Sequence, residues 1–480
     1  MKPRVTARDL GLLAALTVLA VLLHGYHVGI EDQAIYLPAI KKNLNPSLFP
    51  ADAEFFLSQT GPAIFDELIA FSVRVSRLPL EIVLFAWHLL SVFLFLLACW
   101  QLSQRIFPKT AERWTAVGLV AALLTLPVAG TLLFILAECL HPRNLATPAI
   151  LFALVSILDR KPIAYAWLAV AAALHPQMAF FGLLHLLFQL WRVPRIELGA
   201  LLALPVMAPM AGAAWREVML TRRHHFPLLW TWYELLGAFA PLLLLLWFAR
   251  IGRRNGMAVL EHVGGRMALS GTLGVAAAFA VTTVPGLEGL VRTQPMRSLH
   301  LVYIVLFLLM GGLLNKIVVK SRPLGWILLF MPLGAAMCYA QLQTYPESGL
   351  IEWPGASPKN QWVQAFEWAR QNTPANAVFA LDPMYMKRPG ADAHGFRAFA
   401  ERSMMADYVK DRGVAALFPA LAPRWRREID ARRNWAEFRL EDFQRLRRQY
   451  GVTWVIVERP GAEGLRCPYA NARVMVCNIE

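Results

Sequence analysis

Apolar runs of roughly 14–25 residues recur along the first 341 residues, and short charged segments separate them. A helix needs about 20 apolar residues to cross a bilayer. The pattern therefore predicts about eleven membrane-spanning helices, near 10–30, 81–102, 115–137, 144–158, 162–175, 177–191, 198–214, 230–249, 267–284, 299–315 and 323–341. The runs at 162–175 and 177–191 are short enough for half-helices or a re-entrant element, so the predicted number of spans is eleven to within about two.

The remaining 139 residues, 342–480, have a different pattern, with short helical and strand-like segments in alternation. Ser357-Pro358 is typical of a helix start and predicts a helix to about Gln371. Further helices are predicted near 422–431 and 440–450, and strands at 378–381, 396–400, 453–458 and 474–478. This part of the chain is long enough for one small α/β domain with its own core.

The predicted fold class is thus a polytopic α-helical membrane protein with a C-terminal exported α/β domain. Its two domains are 1–341 and 342–480, and residues 31–79 form a first external loop with interfacial helices. Composition supports a membrane protein, since 57% of the 480 residues are hydrophobic and 16% are charged, against about 25% charged in soluble domains. The same figures exclude a disordered chain and a disulfide-rich secreted scaffold.

The net charge of +15 has a topological explanation. Most basic residues flank apolar runs, and Lys and Arg mark cytoplasmic loops, so no nucleic-acid partner is expected. Basic segments near 105–113, 160–161, 192–195, 250–266 and 316–322 alternate with less basic ones. This alternation predicts a cytoplasmic N-terminus, a retained first span without a signal-peptide cleavage site, and an external C-terminal domain. The expected location is the bacterial inner (plasma) membrane.

Several cations oppose this topology because they fall on external connections or span ends. Polar groups at membrane depth are costly and usually face a cavity or a partner, although snorkelling to lipid headgroups explains any single one equally well. Two of the histidines precede prolines, which predicts helix boundaries there. The candidate anion-binding residues are Arg143, Arg222, Arg223, Arg292, Arg297, His141 and His175.

Two adjacent carboxylates, Glu31 and Asp32, follow the first span directly. Beside a cation-rich surface they are candidates for a general base or a metal ligand, and the alternative is a solvated helix end. His24, His27 and Glu31 have the i, i+3, i+7 spacing of one helix face and are weak candidates for a metal site. The sequence is compatible both with a bound divalent cation as cofactor and with none.

Cys467 and Cys477 flank a turn-rich segment in the C-terminal part. If this part is exported, a disulfide between them is expected. A buried reduced pair is an equal alternative.

This arrangement resembles the GT-C superfamily of integral membrane glycosyltransferases, which includes protein mannosyltransferases and aminoarabinose transferases. The resemblance lies in the acidic pair after the first span, the patterned external loop, the external Arg and His residues and the exported tail. Two short tail segments are also similar: the helix, Asn372-Thr-Pro374, strand, Asp382-Pro383 unit, and the helix, Tyr450-Gly451, strand unit.

The resemblance implies sugar transfer from a polyprenyl-phosphate-linked donor to an acceptor on the external face. It implies that Asp32 or Glu31 is the base or a metal ligand, without choosing between them. Arginine matches phosphate geometry, so the external arginines are candidates for holding the donor phosphate. A transporter or flippase of a lipid-linked sugar and a non-catalytic membrane assembly protein remain alternatives, and no internal repeat of the kind common in transporters is visible.

Overall fold

The computed structural model of the protein describes residues 5–190, 212–320, 322–388 and 392–479. The described chain is mostly helical, as predicted for a helical membrane protein. Six segments are long and apolar enough to cross a membrane: Ala7–His24, Leu80–Ile106, Trp232–Arg254, Ala258–Thr283, Glu288–Val319 and Pro323–Thr344. Most of the predicted span 198–214 lies outside the described residues.

The first part of the chain contributes fourteen described α-helices, numbered here in chain order. They are α1 (Ala7–His24), α2 (Gln33–Leu44), α3 (Glu54–Thr60), α4 (Phe65–Ser76), α5 (Leu80–Ile106), α6 (Thr110–Ala122), α7 (Pro142–Leu158), α8 (Ile163–Leu174), α9 (Pro176–Leu190), α10 (Ala213–Leu220), α11 (Trp232–Arg254), α12 (Ala258–Thr283), α13 (Leu299–Leu314) and α14 (Pro323–Thr344).

The prediction of a continuous span at 115–137 is wrong. Helix α6 ends at Ala122, and residues 123–141 follow as irregular backbone with one isolated bridge between Pro127 and Phe134. Most of residues 133–141 are buried, which is the setting in which irregular backbone is tolerated at membrane depth. Helices α7, α8 and α9 have 17, 12 and 15 residues. They are shorter than a full span, so the structure does not confirm a count of eleven.

The helices predicted in the first external loop are present, but α2 is not at a lipid interface. Residues Gln33–Ile40 of this helix are all buried. Ala34 belongs to the same apolar cluster as Phe396 and Phe366 of the C-terminal part. The tail therefore covers α2, whereas the sequence predicted an interfacial helix.

The C-terminal part contains a five-stranded sheet of order β2-β1-β3-β5-β4. Its strands are β1 (Val378–Leu381), β2 (Ser403–Met404), β3 (Trp454–Glu458), β4 (Arg466–Ala470) and β5 (Val474–Asn478), and its helices are α15 (Gln361–Asn372), α16 (Phe396–Ala400), α17 (Asp411–Leu417), α18 (Ala422–Asp430) and α19 (Leu440–Tyr450). Strands β1, β2 and β3 are parallel, whereas β5 is antiparallel to β3 and β4.

Most predicted elements of this small α/β unit are confirmed, with two corrections. Residues 396–400 form a short helix and not a strand; Phe-Arg-Ala-Phe-Ala lacks the polar alternation of a half-buried strand. Helix α15 is capped by the Asn360 side chain and not by Ser357. Cys467 and Cys477 are joined by a disulfide, which corresponds to the first of the two alternatives from the sequence.

A buried ion pair and a backbone hydrogen bond join the C-terminal part to Asp52 in the segment between α2 and α3. Arg397 donates through Nε to Asp52 at 2.5 Å and through both Nη atoms to Asp411 at 2.9 and 3.0 Å. The backbone N–H of Met404 also donates to Asp52, at 2.9 Å. All three charged side chains are at most 5% exposed, so these contacts fix the tail against the loop without access of water.

We expect Arg397→Leu to destabilise the protein by about 3–5 kcal/mol, because it leaves two buried carboxylates without their cation. Thermal unfolding and protease sensitivity of the purified protein measure this loss. Arg433→Leu is the control, since Arg433 is 74% exposed in its ion pair with Asp430 and such pairs contribute about 0–1 kcal/mol. Equal stability of the two variants would show that the Arg397 network does not hold the tail in place.

Candidate functional site

The acidic pair lies at a sharp exit of the chain from the first helix. Gly25 ends α1 with φ of 81°, and a Cβ there would be 2.5 Å from the carbonyl oxygen of Leu350, so only glycine fits. Glu31 itself has φ of 46°, and Asp32 directly precedes α2. This path carries both carboxylates away from the helix end and towards the C-terminal part.

Lys410 of the C-terminal part contacts both carboxylates. Its Nζ lies 3.0 Å from Glu31 Oε2 and 3.3 Å from Asp32 Oδ1. Glu31 is 44% exposed and Asp32 34%, so a ligand can reach both. The pair is therefore neither a free helix end nor an isolated anion, because a cation from the other end of the chain already neutralises part of its charge.

His141 approaches Asp32 from the N-terminus of α7. The backbone N–H of Arg143 donates to His141 Nδ1 at 2.9 Å, which places the imidazole proton on Nε2. This Nε2 lies 3.6 Å from Asp32 Oδ2, longer than a hydrogen bond. Burial and the neighbouring Arg143 lower the pKa of His141 to about 4, so the imidazole is neutral at pH 7.

Asp32 is ionised at neutral pH. Burial alone would raise its pKa, but the positive charges of Lys410 and Arg143 outweigh burial and hold the pKa well below its ordinary range. The site thus presents a carboxylate in surroundings where positive charge dominates.

Four arginines carry a buried Nε without a hydrogen-bond partner among the described residues. Arg143, Arg222 and Arg297 interact electrostatically with Asp32, and Arg412 interacts with Arg222. Unpaired buried donors are costly and rare, and they need an explanation by an unseen ligand, water or ion. These four, with Lys410, are called the cation cluster below: Arg143, Arg222, Arg297 and Arg412.

The members of the cation cluster act on each other electrostatically. Burial and the guanidinium of Arg412 lower the pKa of Arg222 to about 9. Burial together with Arg222, Arg297 and Arg412 lowers the pKa of His224. Like charges held this close repel one another, and an anion bound between them would relieve the repulsion.

The structure brings together most, but not all, of the predicted anion-binding residues. The ring of His175 lies 6.0 Å from that of His141, at the break before α9. Arg223 lies apart: it is 54% exposed and donates to Glu234 at 2.8 Å and to the carbonyl of Leu229 at 2.6 Å. Arg292 is on the turn Glu288–Thr293 and forms no hydrogen bond with the described residues of the cluster.

The metal site suggested by His24, His27 and Glu31 is wrong in its geometry, because α1 ends at His24 and the three do not share a helix face. His24 instead bonds to Thr125 Oγ1 at 2.8 Å and to the carbonyl of Ala121 at 2.9 Å. His27 is buried beside Glu352 of the C-terminal part. Within the described ranges no group of three His, Cys, Asp or Glu residues is placed to hold a metal ion.

Lys410 and Arg412 were not predicted as site residues from the sequence. Lys410 is 378 residues from Asp32, and its segment reads as an ordinary charged turn of the tail. The turn is ordered by Asp407, which accepts from the backbone N–H of Val409 and of Lys410 at 2.7 and 2.5 Å. No local pattern could have assigned these two cations to the site.

The fold and the site together define a helical membrane protein with a cation cluster around an acidic pair, completed by a C-terminal α/β unit. No protein-family model matches the chain, and no curated protein matches it. Its function is therefore argued from the chemistry of the cluster.

Proposed function

We propose that the protein is a membrane glycosyltransferase that uses a polyprenyl-phosphate-linked sugar on the external face of the bacterial inner membrane. The proposal is carried by four arginines whose buried Nε atoms have no hydrogen-bond partner among the described residues, three of which interact electrostatically with the accessible carboxylate of Asp32. The cation cluster has five positive charges and Lys410 contacts two carboxylates, so a bound anion would balance the remaining charge. Phosphate oxygens match this donor set, since guanidinium groups bind them in fixed geometry.

In this mechanism Asp32 accepts the proton of the acceptor hydroxyl as its oxygen attacks the anomeric carbon of the sugar. The bond between that carbon and the phosphate oxygen breaks, and the polyprenyl phosphate leaves with the bonding electrons. Arg143 and Arg297 stabilise the negative charge that develops on the leaving group. His141 is neutral at pH 7, and its Nε2, 3.6 Å from Asp32 Oδ2, has no hydrogen-bond partner among the described residues, so it is free to donate to a bound substrate oxygen.

Lys410 controls how basic Asp32 is. A carboxylate whose pKa lies far below neutrality is a weak base, because catalytic bases work best with a pKa near the working pH. A bound phosphate competes with Asp32 and Glu31 for Lys410. Donor binding would thereby draw the cation away and raise the basicity of Asp32 when the substrate is in place.

The proposal is tested by incubating the purified protein with a polyprenyl-phosphate-linked sugar and an acceptor pool. The expected result is a glycosylated acceptor together with free polyprenyl phosphate in equal amounts. Movement of the lipid-linked sugar across vesicle membranes without a glycosylated product would instead favour a transporter and contradict the proposal.

We expect Lys410→Met to move the acid limb of the pH–rate profile to higher pH. Removing Lys410 takes away the largest influence that lowers the Asp32 pKa, so the carboxylate becomes protonated, and activity is lost, at a higher pH. The measurement is kcat/KM against pH. Lys41→Met is the control, because Lys41 lies on the neighbouring helix but pairs with Glu401 at 2.7 Å. An unchanged acid limb in Lys410→Met would exclude Asp32 as the titrating base.

A further inference from the structure

A cavity of about 710 Å³ with charged lining residues lies between α11 and α12. The two helices are joined by a short turn at residues 255–257, and the cavity lies beside this turn. Helix α11 begins at Trp232, ten residues after Arg222 of the cation cluster, and Arg250 lies about 27 Å from Trp232 along the helix axis at 1.5 Å per residue. This cavity is therefore at the other end of the helical bundle and separate from the site described above.

Each helix contributes one face to the cavity. Ala249, Arg250 and Arg253 lie on one face of α11. On α12, one face carries the residues Glu261, His262, Gly265 and Arg266. A Cβ at Gly265 would lie 3.8 Å from the Cβ of Ala249, so small residues at this level leave space between the longer side chains. Side chains of both helices therefore form the walls of the cavity.

Two cations in this cavity are uncompensated. Arg253 donates to Glu261 at 2.6 Å and its charge is balanced. His262 bonds through Nε2 to the carbonyl of Gln189 at 3.0 Å. Arg250 and Arg266 line the same cavity and form no ion pair with any part of the chain that the structure describes. The cavity therefore carries an excess of two positive charges.

The wall of the cavity nearer the middle of the bundle is apolar. Leu246 lies one turn before Arg250 on α11, and Leu269 lies about one turn after Arg266 on α12. Both leucines are nearly half exposed, at 45% and 47%. Because the helices are antiparallel, the cations lie together at one end and the leucines together one turn deeper, which is the polarity of a membrane lipid.

We propose that this cavity binds a phospholipid with a net negative headgroup. Its phosphate lies between Arg250 and Arg266, and its acyl chains follow Leu246 and Leu269 along the surface of α11 and α12. Basic pockets between membrane helices on the cytoplasmic side suit anionic headgroups, and the bias of Lys and Arg predicts that this end of the bundle is cytoplasmic. The proposal is independent of the glycosyltransferase proposal, since it uses none of the same residues.

The test is lipid binding by the purified, delipidated full chain, measured by native mass spectrometry with phosphatidylglycerol and, in parallel, phosphatidylethanolamine. We expect the wild type to retain the anionic lipid preferentially. The double variant Arg250→Gln/Arg266→Gln should bind phosphatidylglycerol about 25-fold more weakly, since each basic residue near an anionic headgroup contributes roughly fivefold. Replacing both arginines with lysine should restore most of the affinity.

Arg254→Gln is the matched control, because Arg254 is an exposed arginine at the same end of α11 that does not line the cavity. It should bind phosphatidylglycerol like the wild type, and thermal unfolding checks that all variants are folded. Unchanged binding in the double variant, an equal loss in Arg254→Gln, or equal retention of phosphatidylethanolamine by the wild type would overturn the proposal. Competition by millimolar glycerol phosphate would show a soluble phosphate site and would also overturn it.

Discussion

Asp32→Asn is expected to reduce sugar transfer by about 10²–10⁴-fold while the protein still inserts in the membrane and unfolds at nearly the wild-type temperature. Asparagine keeps the size of aspartate but accepts no proton, so the acceptor hydroxyl is no longer activated. The contact with Lys410 weakens in the variant, but it is a partly exposed contact that contributes little to stability. The measurement is the initial rate of product formation at saturating donor.

Glu31→Gln is the matched comparison for this experiment. Glu31 shares Lys410 with Asp32 but has no contact with His141, so we expect a rate loss below about tenfold, well short of that for a lost general base. Equal and large losses in both variants would mean that the pair acts as a unit. Wild-type rates in Asp32→Asn would remove the central residue from the proposed mechanism.

Arg297→Gln is expected to weaken donor binding by about 10–100-fold, the usual range for a hydrogen bond to a charged group. The guanidinium of Arg297 has a buried Nε without a partner among the described residues, and a phosphate oxygen is the partner we assign to it. The variant should also unfold at a temperature no lower than that of the wild type, because it relieves repulsion within the cation cluster. Donor titration and thermal unfolding of the same preparations measure the two effects.

Arg223→Gln is the control for Arg297→Gln. Arg223 is adjacent to Arg222 in the chain, but it is exposed and paired with Glu234, away from the cluster. We expect its donor affinity to equal that of the wild type. If Arg297→Gln lowers stability without changing donor affinity, Arg297 has a structural role and the phosphate assignment is incorrect.

The candidate site was only partly predictable. The Glu31-Asp32 pair, His141, Arg143, Arg222 and Arg297 stand out in the sequence because charge at a membrane boundary is costly. Arg223 and Arg292 satisfy the same criterion, and yet Arg223 is paired with Glu234 and Arg292 forms no hydrogen bond with the cluster among the described residues. Sequence position identifies residues near the boundary, whereas side-chain direction depends on the local backbone.

Features that depend on short stretches of chain could be predicted from the residues alone. Long apolar runs indicated the helical membrane part, and strands β1, β3 and β5 followed from runs of β-branched and aromatic residues. Hydropathy and propensity act over one helix or strand, so these features need no knowledge of distant residues.

Which distant residues meet depends on the folded chain. Folding ends α6 at Ala122, buries α2 beneath the tail and brings Lys410 to the acidic pair. These outcomes depend on packing between segments up to 379 residues apart, where burial and charge pairing are set jointly by both partners. No window of sequence contains both halves of such a contact, and this is the physical reason why the site is completed only in the folded chain.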